Sequence, residues 1–155
     1  MITVVYLLIA VVVTAVALWA YSTAQRLNRL HIRTDSARQA LGAALDRRAA
    51  LVGALIPEAA DAARRAESIP LIYSRFEDRS RAERRISEVI LAQPTPIPEA
   101  LVDAAARVEL AHRFYNDAVT DTRNLRTRVL VRGLRLGGLA PLPEYFELVD
   151  TDIVE

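Results

Sequence analysis

The chain has 155 residues, which is enough for one domain beside a membrane segment. All twenty basic residues are Arg, and they stand against nineteen carboxylates, so the net charge of +1 gives no general attraction to polyanions. The chain has no Cys, which excludes disulfides, thiol nucleophiles and thiolate metal sites.

The segment ITVVYLLIAVVVTAVALWAY, residues 2–21, is apolar on every face. A helix of about 20 residues rises about 30 Å, the thickness of the hydrocarbon core of a bilayer. Trp19 and Tyr21 stand at its end, where aromatic side chains favour the headgroup layer. We therefore predict a transmembrane helix. The alternative is a cleaved signal peptide, which would leave an exported helical domain. It fits less well, because no basic side chain precedes the apolar run and Ser22-Thr23-Ala24 is a weak cleavage site.

Arg26, Arg29 and Arg33 follow the span directly, and no basic side chain precedes it. The positive-inside rule then places the amino terminus outside and the rest of the chain in the cytoplasm. We expect a single-pass membrane protein.

Beyond the span the pattern predicts an all-α fold, in which the membrane helix continues into an antiparallel, coiled-coil-like bundle of about three long helices over residues 22–136. The first helix covers 22–67, where Pro57 should kink or break it. The second covers 71–93 and is followed by the Pro-rich linker 93–98. The third covers 98–136, where Gly137 and Gly138 should stop it, and residues 137–155 form an irregular acidic tail.

The third helix carries apolar and small residues at alternating steps of three and four, which predicts a buried seam. The seam consists of Leu101, Ala104, Val108, Ala111, Tyr115, Ala118, Thr122, Leu125 and Val129.

Helix lengths suggest an interaction surface. At 1.5 Å per residue the first helix would extend about 69 Å beyond the membrane and the second only about 35 Å. The membrane-proximal stalk, residues 22–44, would then have no partner for Leu27, Leu30 and Leu41, so we expect self-association or contact with another membrane protein there. Two alternatives remain open: the first helix breaks at Pro57, or the tail folds back along the stalk.

Several motifs resemble the LemA family of bacterial membrane proteins. These are RLNRLHIRTDSA after the span, RRAALVGAL with Arg47 and Arg48, RVELAHRFYNDAV, and the terminal PEYFE. The third motif includes Arg107, Val108, Leu110, Ala111, Tyr115, Asn116, Asp117, Ala118 and Val119, and the last includes Tyr145, Phe146 and Glu147. The resemblance covers most of the chain except about residues 60–100.

The resemblance implies an N-terminal anchor and an antiparallel helical bundle. The chain departs from the family at Ala50, Gly53 and Ala54, where the family has Asp, Pro and Asn, and at Ala105 and Ala106, where the family has Glu and Asn. What persists are the Arg pair, the Tyr-Asn-Asp trio and the apolar seam, which favours an architectural role. We predict a non-catalytic membrane scaffold or adaptor.

The sequence does not contain a group of residues that is typical of an enzyme active site. His31 and His112 stand on different helices without carboxylates at ligand spacing, so we expect no metal and no cofactor. Asp117 and Asp121 lie four residues apart, but such a pair is usually solvated or paired with Arg. We expect no small-molecule substrate.

The run RSRAERR offers an alternative function, because Arg79, Arg81, Arg84 and Arg85 could hold anionic lipid headgroups or, less favoured, nucleic acid. The other interpretation of this run is a solvated helix face.

Tyr115, Asn116 and Asp117 point in three directions around a helix, at steps of about 100°. They therefore should not converge on one small substrate. We expect the Tyr115 ring to be buried with its hydroxyl bonded, and Asn116 or Asp117 to bond across to an Arg or backbone group of the first helix.

Overall fold

A computed structural model describes residues 1–94, 96–134, 136 and 141–148. The described residues form helices and irregular segments without a strand, so the predicted all-α class is confirmed. The helices are α1 Ile2–Leu55, α2 Ala60–Glu67, α3 Phe76–Leu91, α4 Glu99–Arg126 and α5 Val129–Gly133, with 3-10 turns at Pro57–Ala59 and Tyr73–Arg75.

The first half of α1 stands apart from the bundle. Residues 2–19 are all exposed, and this part of the helix is long and apolar enough to cross a membrane. No break separates it from the second half, which contributes Leu41, Leu45 and Val52 to the core. The expected continuous helix from the apolar segment into the bundle is therefore confirmed.

The predicted first helix over 22–67 is wrong at its distal end. Proline has no backbone N–H and disfavours the helical region for the residue before it. Ile56 accordingly leaves the helix at φ −126° and ψ 88°, so α1 ends at Leu55 and the chain turns into α2. Of the two alternatives offered for Pro57, the break is the observed one.

The helices run alternately away from and toward the apolar segment. Ala63 of α2 packs against Gly53 of α1, so α2 returns alongside the helix that it follows. Arg79 and Glu83 of α3 meet Asp46 and Arg48, which makes α3 parallel to α1. The next helix, α4, runs back along α1.

The core has three layers along α1. The distal layer consists of Ala49, Val52, Ile56, Ala59, Ala63, Ala66, Ile86, Ile90 and Leu101. The middle layer consists of Leu41, Leu45, Leu71, Phe76, Val108, Tyr115, Val119 and Phe146. The proximal layer, nearest the apolar segment, consists of Leu27, Leu125 and Val131.

The stalk does not lack an intramolecular partner, so that prediction is wrong. Leu27 is 2% exposed and Leu41 is 0% exposed, because α4 covers this stretch of α1. Leu30 packs, partly buried, on the proximal layer. The length comparison considered only the second helix, whereas the 28 residues of α4 rise about 42 Å and reach the stalk.

The predicted seam of α4 is buried from Leu101 to Leu125 except at Ala111, which is partly buried, but α4 ends at Arg126 rather than at 136. Arg128 is extended at φ −59° and ψ 133°, and the chain restarts as α5. Val129, predicted to continue the seam, is therefore 77% exposed, and Val131 occupies the proximal layer instead. The helix predicted from residue 71 begins only at Phe76. Gly137, Gly138 and residues 149–155 of the predicted tail lie outside the described residues.

Alanine substitutions at two glycines of α1 test how closely α2 packs against it. A Cβ on Gly53 would lie 3.1 Å from the Cβ of Ala63, whereas a Cβ on Gly42 would lie at an ordinary 3.7 Å from that of Leu71. Gly42→Ala should raise the unfolding free energy by up to about 1 kcal/mol through helix propensity. Gly53→Ala should gain less or lose stability, because α2 must shift. Thermal unfolding in detergent checks the order, and an equal gain at both positions would contradict the close α1–α2 contact.

Candidate functional site

The outer side of α4 holds an extended C-terminal segment, residues 141–148. Asn116 makes a paired contact with Phe146: the Phe146 N–H donates to Asn116 Oδ1 at 3.1 Å, and Asn116 Nδ2 donates to the Phe146 carbonyl at 3.2 Å. His112 Nε2 lies 2.7 Å from the same carbonyl, so this nitrogen carries the proton in the contact. A side-chain amide thus replaces the backbone partner that a neighbouring strand would supply. We call these contacts, with that of Tyr115 below, the C-terminal clamp.

Tyr115 joins the C-terminal clamp to the core. Its ring is 0% exposed in the middle layer, and its hydroxyl donates to the Glu144 carbonyl at 2.5 Å. Burial, reinforced by the neighbouring Tyr73, raises the pKa of Tyr115 well above its usual value, so the hydroxyl remains a donor. The expectation of a buried tyrosine with a bonded hydroxyl is confirmed.

Aromatic contacts complete the clamp. Phe146 is 1% exposed and meets Phe76 edge-to-face, with ring centroids 5.2 Å apart. Tyr145, the other aromatic residue of the terminal motif, is 46% exposed beneath the guanidinium of Arg123. From α3, Ser80 donates to the Glu147 carbonyl at 2.6 Å. The segment is therefore held by both α3 and α4.

The trio does not bond to the first helix, so that expectation is wrong. Asn116 bonds to Phe146, and Tyr115 bonds to Glu144, which lies two residues earlier. Two of the three side chains therefore converge on one segment. Asp117 is exposed and makes no hydrogen bond within the described part of the chain. The periodicity of α4 placed the side chains correctly around the helix, but it could not show that an extended segment lies on the outer face.

A buried ionic cluster joins α1 and α3. The Glu83 carboxylate is 1% exposed and receives one bond on each oxygen, from Arg79 Nε at 2.7 Å and from Arg48 at 2.9 Å. Arg79 also bonds Asp46 at 2.7 Å and the Ile69 carbonyl at 2.7 Å. Arg48, Arg79 and Glu83 are buried, whereas Asp46 is 53% exposed and supplies the second carboxylate from the rim of the cluster. Both Glu83 oxygens are occupied, so the arrangement serves to hold helices together.

Burial of Arg79 corrects the proposed anionic-ligand patch. Its side chain is 2% exposed and fully engaged, so it cannot join Arg81, Arg84 and Arg85 in binding an outside ligand. Those three line an open groove of about 1030 Å³ between α2 and α3. Carboxylates alternate with them there, and Arg81 is paired with Asp78 at 2.8 Å.

The other predicted residues lie apart from these clusters. Arg47 is exposed, and Arg107 forms an exposed pair with Asp103 at 2.9 Å. Asp121 pairs with Arg33 of α1 at 2.9 Å. His31 is half-buried, and burial together with Arg126 lowers its pKa. Among the residues that the structure describes, no group of three His, Asp or Glu side chains could hold a metal ion.

Sequence reasoning missed Glu83 and Asp46, and it placed Thr122 in the seam without showing the hydrogen bond that it makes to Thr34. The Thr34 and Thr122 hydroxyls meet at 2.9 Å inside the α1–α4 contact. One feature of the sequence could have indicated that Glu83 is buried. It lies three residues before Ile86 and four after Arg79, which places an acidic side chain on the apolar face of α3.

Comparison of the chain with protein-family models, with curated proteins and with solved structures gives no match. The resemblance to the LemA family therefore stays a prediction.

Asn116→Ala should free the C-terminal segment. Loss of the paired contact should cost roughly 1–3 kcal/mol and accelerate hydrogen exchange at the Phe146 N–H, which bonds directly to Asn116. The matched control is Asp117→Ala, whose exposed side chain should matter by less than about 0.5 kcal/mol. Equal protection of Phe146 in both variants would show that the amide does not hold the segment.

Glu83→Gln should be among the most damaging single changes in the chain. It leaves two buried guanidiniums facing a neutral amide, and breaking a buried pair costs about 3–5 kcal/mol. Glu88→Gln is the control on the same helix, because Glu88 is exposed in its contact with Arg85 and should cost less than about 1 kcal/mol. Similar thermal midpoints for the two variants would contradict the role of the buried cluster.

Proposed function

We propose that the chain is a single-pass bacterial membrane protein similar to LemA proteins, whose bundle is a non-catalytic scaffold in the cytoplasm. The observation that carries this proposal is the continuity of α1, which joins an exposed apolar segment to the packed core without a break. A flexible linker would let the bundle tumble freely. A continuous helix instead fixes the distance of the bundle from the apolar segment along the helix axis.

The geometry sets the dimensions of such a scaffold. The 34 residues from Ser22 to Leu55 rise about 50 Å, so the α1–α2 turn would stand far from the headgroups. Because α4 runs back along the same helix, the rod is reinforced for most of that height. These features support a role in holding protein surfaces at a set distance from the bilayer.

One surface of the rod is suited to contact with another protein. Leu110 and Phe114 of α4 are 54% and 56% exposed, beside a groove of about 310 Å³ lined by Ala37, Ala40 and Ala44 of α1. Leu27 and Leu41 of the stalk, which the sequence suggested for this role, are buried. We therefore place the protein contact on the face that carries Leu110 and Phe114.

We assign the groove to a second copy of the chain. Protruding Phe114 and the alanine-lined groove lie side by side at one height along α1. Two copies anchored in one membrane are related by an axis along the membrane normal, which brings equal heights together. The protrusion of each copy can then enter the groove of the other, as a two-fold contact requires.

Cysteine crosslinking in membranes tests both parts of this proposal. The chain has no Cys, so co-expressed chains with Ala40→Cys and Arg107→Cys should oxidise to a disulfide-linked dimer. Phe114→Ser should lower the yield by weakening the apolar contact. The control pair Arg65→Cys and Arg84→Cys, on the α2–α3 groove, should remain monomeric.

Two crosslinking outcomes would contradict the assignment of the groove to a second copy. A dimer with equal yield in the control pair would mean random collision, and an adduct with a different protein would replace the second copy as occupant. Intact mass of the product tests the anchor separately, because signal cleavage would remove about twenty-four residues from each chain.

The Arg groove between α2 and α3 is a weaker second candidate, for anionic ligands, because Arg79 is absent from it and carboxylates alternate with the remaining Arg residues.

A further inference from the structure

The short helix α5 lies at the end of the apolar segment of α1. Val131 is 2% exposed and packs with Leu27 and Leu125. Val131 and Arg128 line one small cavity of about 220 Å³ together with Trp19, Thr23 and Arg26. Thr23 lies four residues, or about 6 Å, beyond Trp19, which is the depth of the headgroup layer on one side of a bilayer. With residues 2–21 in a membrane, α5 lies at its surface.

Three apolar side chains of α5 and of the residue that caps its C-terminal end are uncovered. Val129, Leu130 and Leu134 are 77%, 65% and 52% exposed. Leu130 and Leu134 are four residues apart and therefore share one side. Val131 turns inward and fixes the helix to α1 and α4, so the three exposed side chains are held in place rather than free to retract.

The surroundings of α5 are strongly basic. Residues 22–34 and 122–134 contain seven Arg and no Asp or Glu. One of these, Arg33, is neutralised by Asp121. Arg26, Arg29, Arg128 and Arg132 are exposed, and none of them forms an ion pair within the described residues. Elsewhere on the bundle the exposed Arg residues are commonly paired, as in the Arg107–Asp103 contact.

We propose that α5 is a second membrane contact that binds anionic phospholipid. This inference rests on the proposed anchoring by residues 2–21. Leu130 and Leu134 enter the boundary between headgroups and acyl chains, while Arg26, Arg29, Arg128 and Arg132 bind lipid phosphates. Apolar side chains flanked by Arg are the combination that holds short helices in a membrane interface.

The consequence for the scaffold is mechanical. One spanning helix can tilt and rotate in a bilayer, because nothing but its apolar surface contacts lipid. A second contact beside it fixes which side of the rod faces which direction. The bundle then presents Phe114 and its groove at a defined orientation rather than at random.

Depth measurement on the full-length protein in vesicles tests this inference. Single variants Leu134→Cys, Leu110→Cys and Val12→Cys carry a fluorescent label, and the lipids carry a nitroxide quencher near the headgroup or deep in the acyl chain. Leu110 is the matched control, because it is 54% exposed, close to the 52% of Leu134, but lies on α4 beside Ala44.

The label at position 134 should be quenched by the shallow nitroxide, the label at 12 by the deep one, and the label at 110 by neither. If position 12 is quenched while position 134 behaves like 110, this inference is wrong and the anchor stands. If position 12 escapes quenching as well, the proposed anchoring itself fails.

The charge requirement is measured with vesicles of phosphatidylcholine, alone or with an equal part of phosphatidylglycerol. Shallow quenching at 134 should be stronger with phosphatidylglycerol. Each arginine near an anionic surface contributes about 1 kcal/mol, so Arg128→Gln with Arg132→Gln should lower the ratio of docked to undocked α5 about fivefold per residue. The control double variant Arg84→Gln with Arg85→Gln should leave it unchanged. Equal quenching in both vesicle types would overturn the binding of anionic lipid.

Discussion

One helix, α1, must be compatible with two different environments, and the arrangement of the other helices follows from this constraint. Residues 2–19 are apolar or weakly polar and exposed all round, whereas beyond them the helix buries only a stripe, which includes Leu27, Thr34, Leu41 and Val52. The change occurs without a break, so the bundle can form only around the second half. The chain meets this limit by turning at Pro57 and returning α4 along the stripe, which brings α5 back beside Trp19.

The basic residues of this chain are all Arg, and several of them bond to the backbone at the connections between helices. Arg side chains donate hydrogen bonds to four backbone carbonyls of proline residues or their direct neighbours in these connections. The bonds run from Arg38 to Leu71, from Arg79 to Ile69, from Arg123 to Pro143 and from Arg126 to Pro141. The Arg79 guanidinium directs three nitrogens to three acceptors at once, whereas a Lys ammonium is a point charge without this planar fork. The connections between helices therefore depend on these particular guanidiniums.

The fold could be predicted where the signal is local. Apolar spacing of three and four identified the buried face of α4, and Pro57 marked the end of α1, because both effects act within one or two turns. What could not be predicted is which elements meet. Arg79 sits in a run that is typical of a solvated face, and its burial depends on Asp46, thirty-three residues earlier. Leu41 was expected to need an external partner, because spacing within one helix does not show that another helix returns beside it.

The C-terminal clamp joins two of the motifs that carry the resemblance to the LemA family. The resemblance rests most heavily on YNDAV in α4 and on PEYFE near the end of the chain. Through Tyr115 and Asn116 these two motifs form one contact, in which the first supplies the side chains and the second supplies the backbone groups of Glu144 and Phe146. A sequence that keeps one motif gains stability only by keeping the other, because a buried tyrosine hydroxyl without its acceptor is costly. In this chain the two motifs therefore act as one structural unit, which fastens the C-terminal segment to α4.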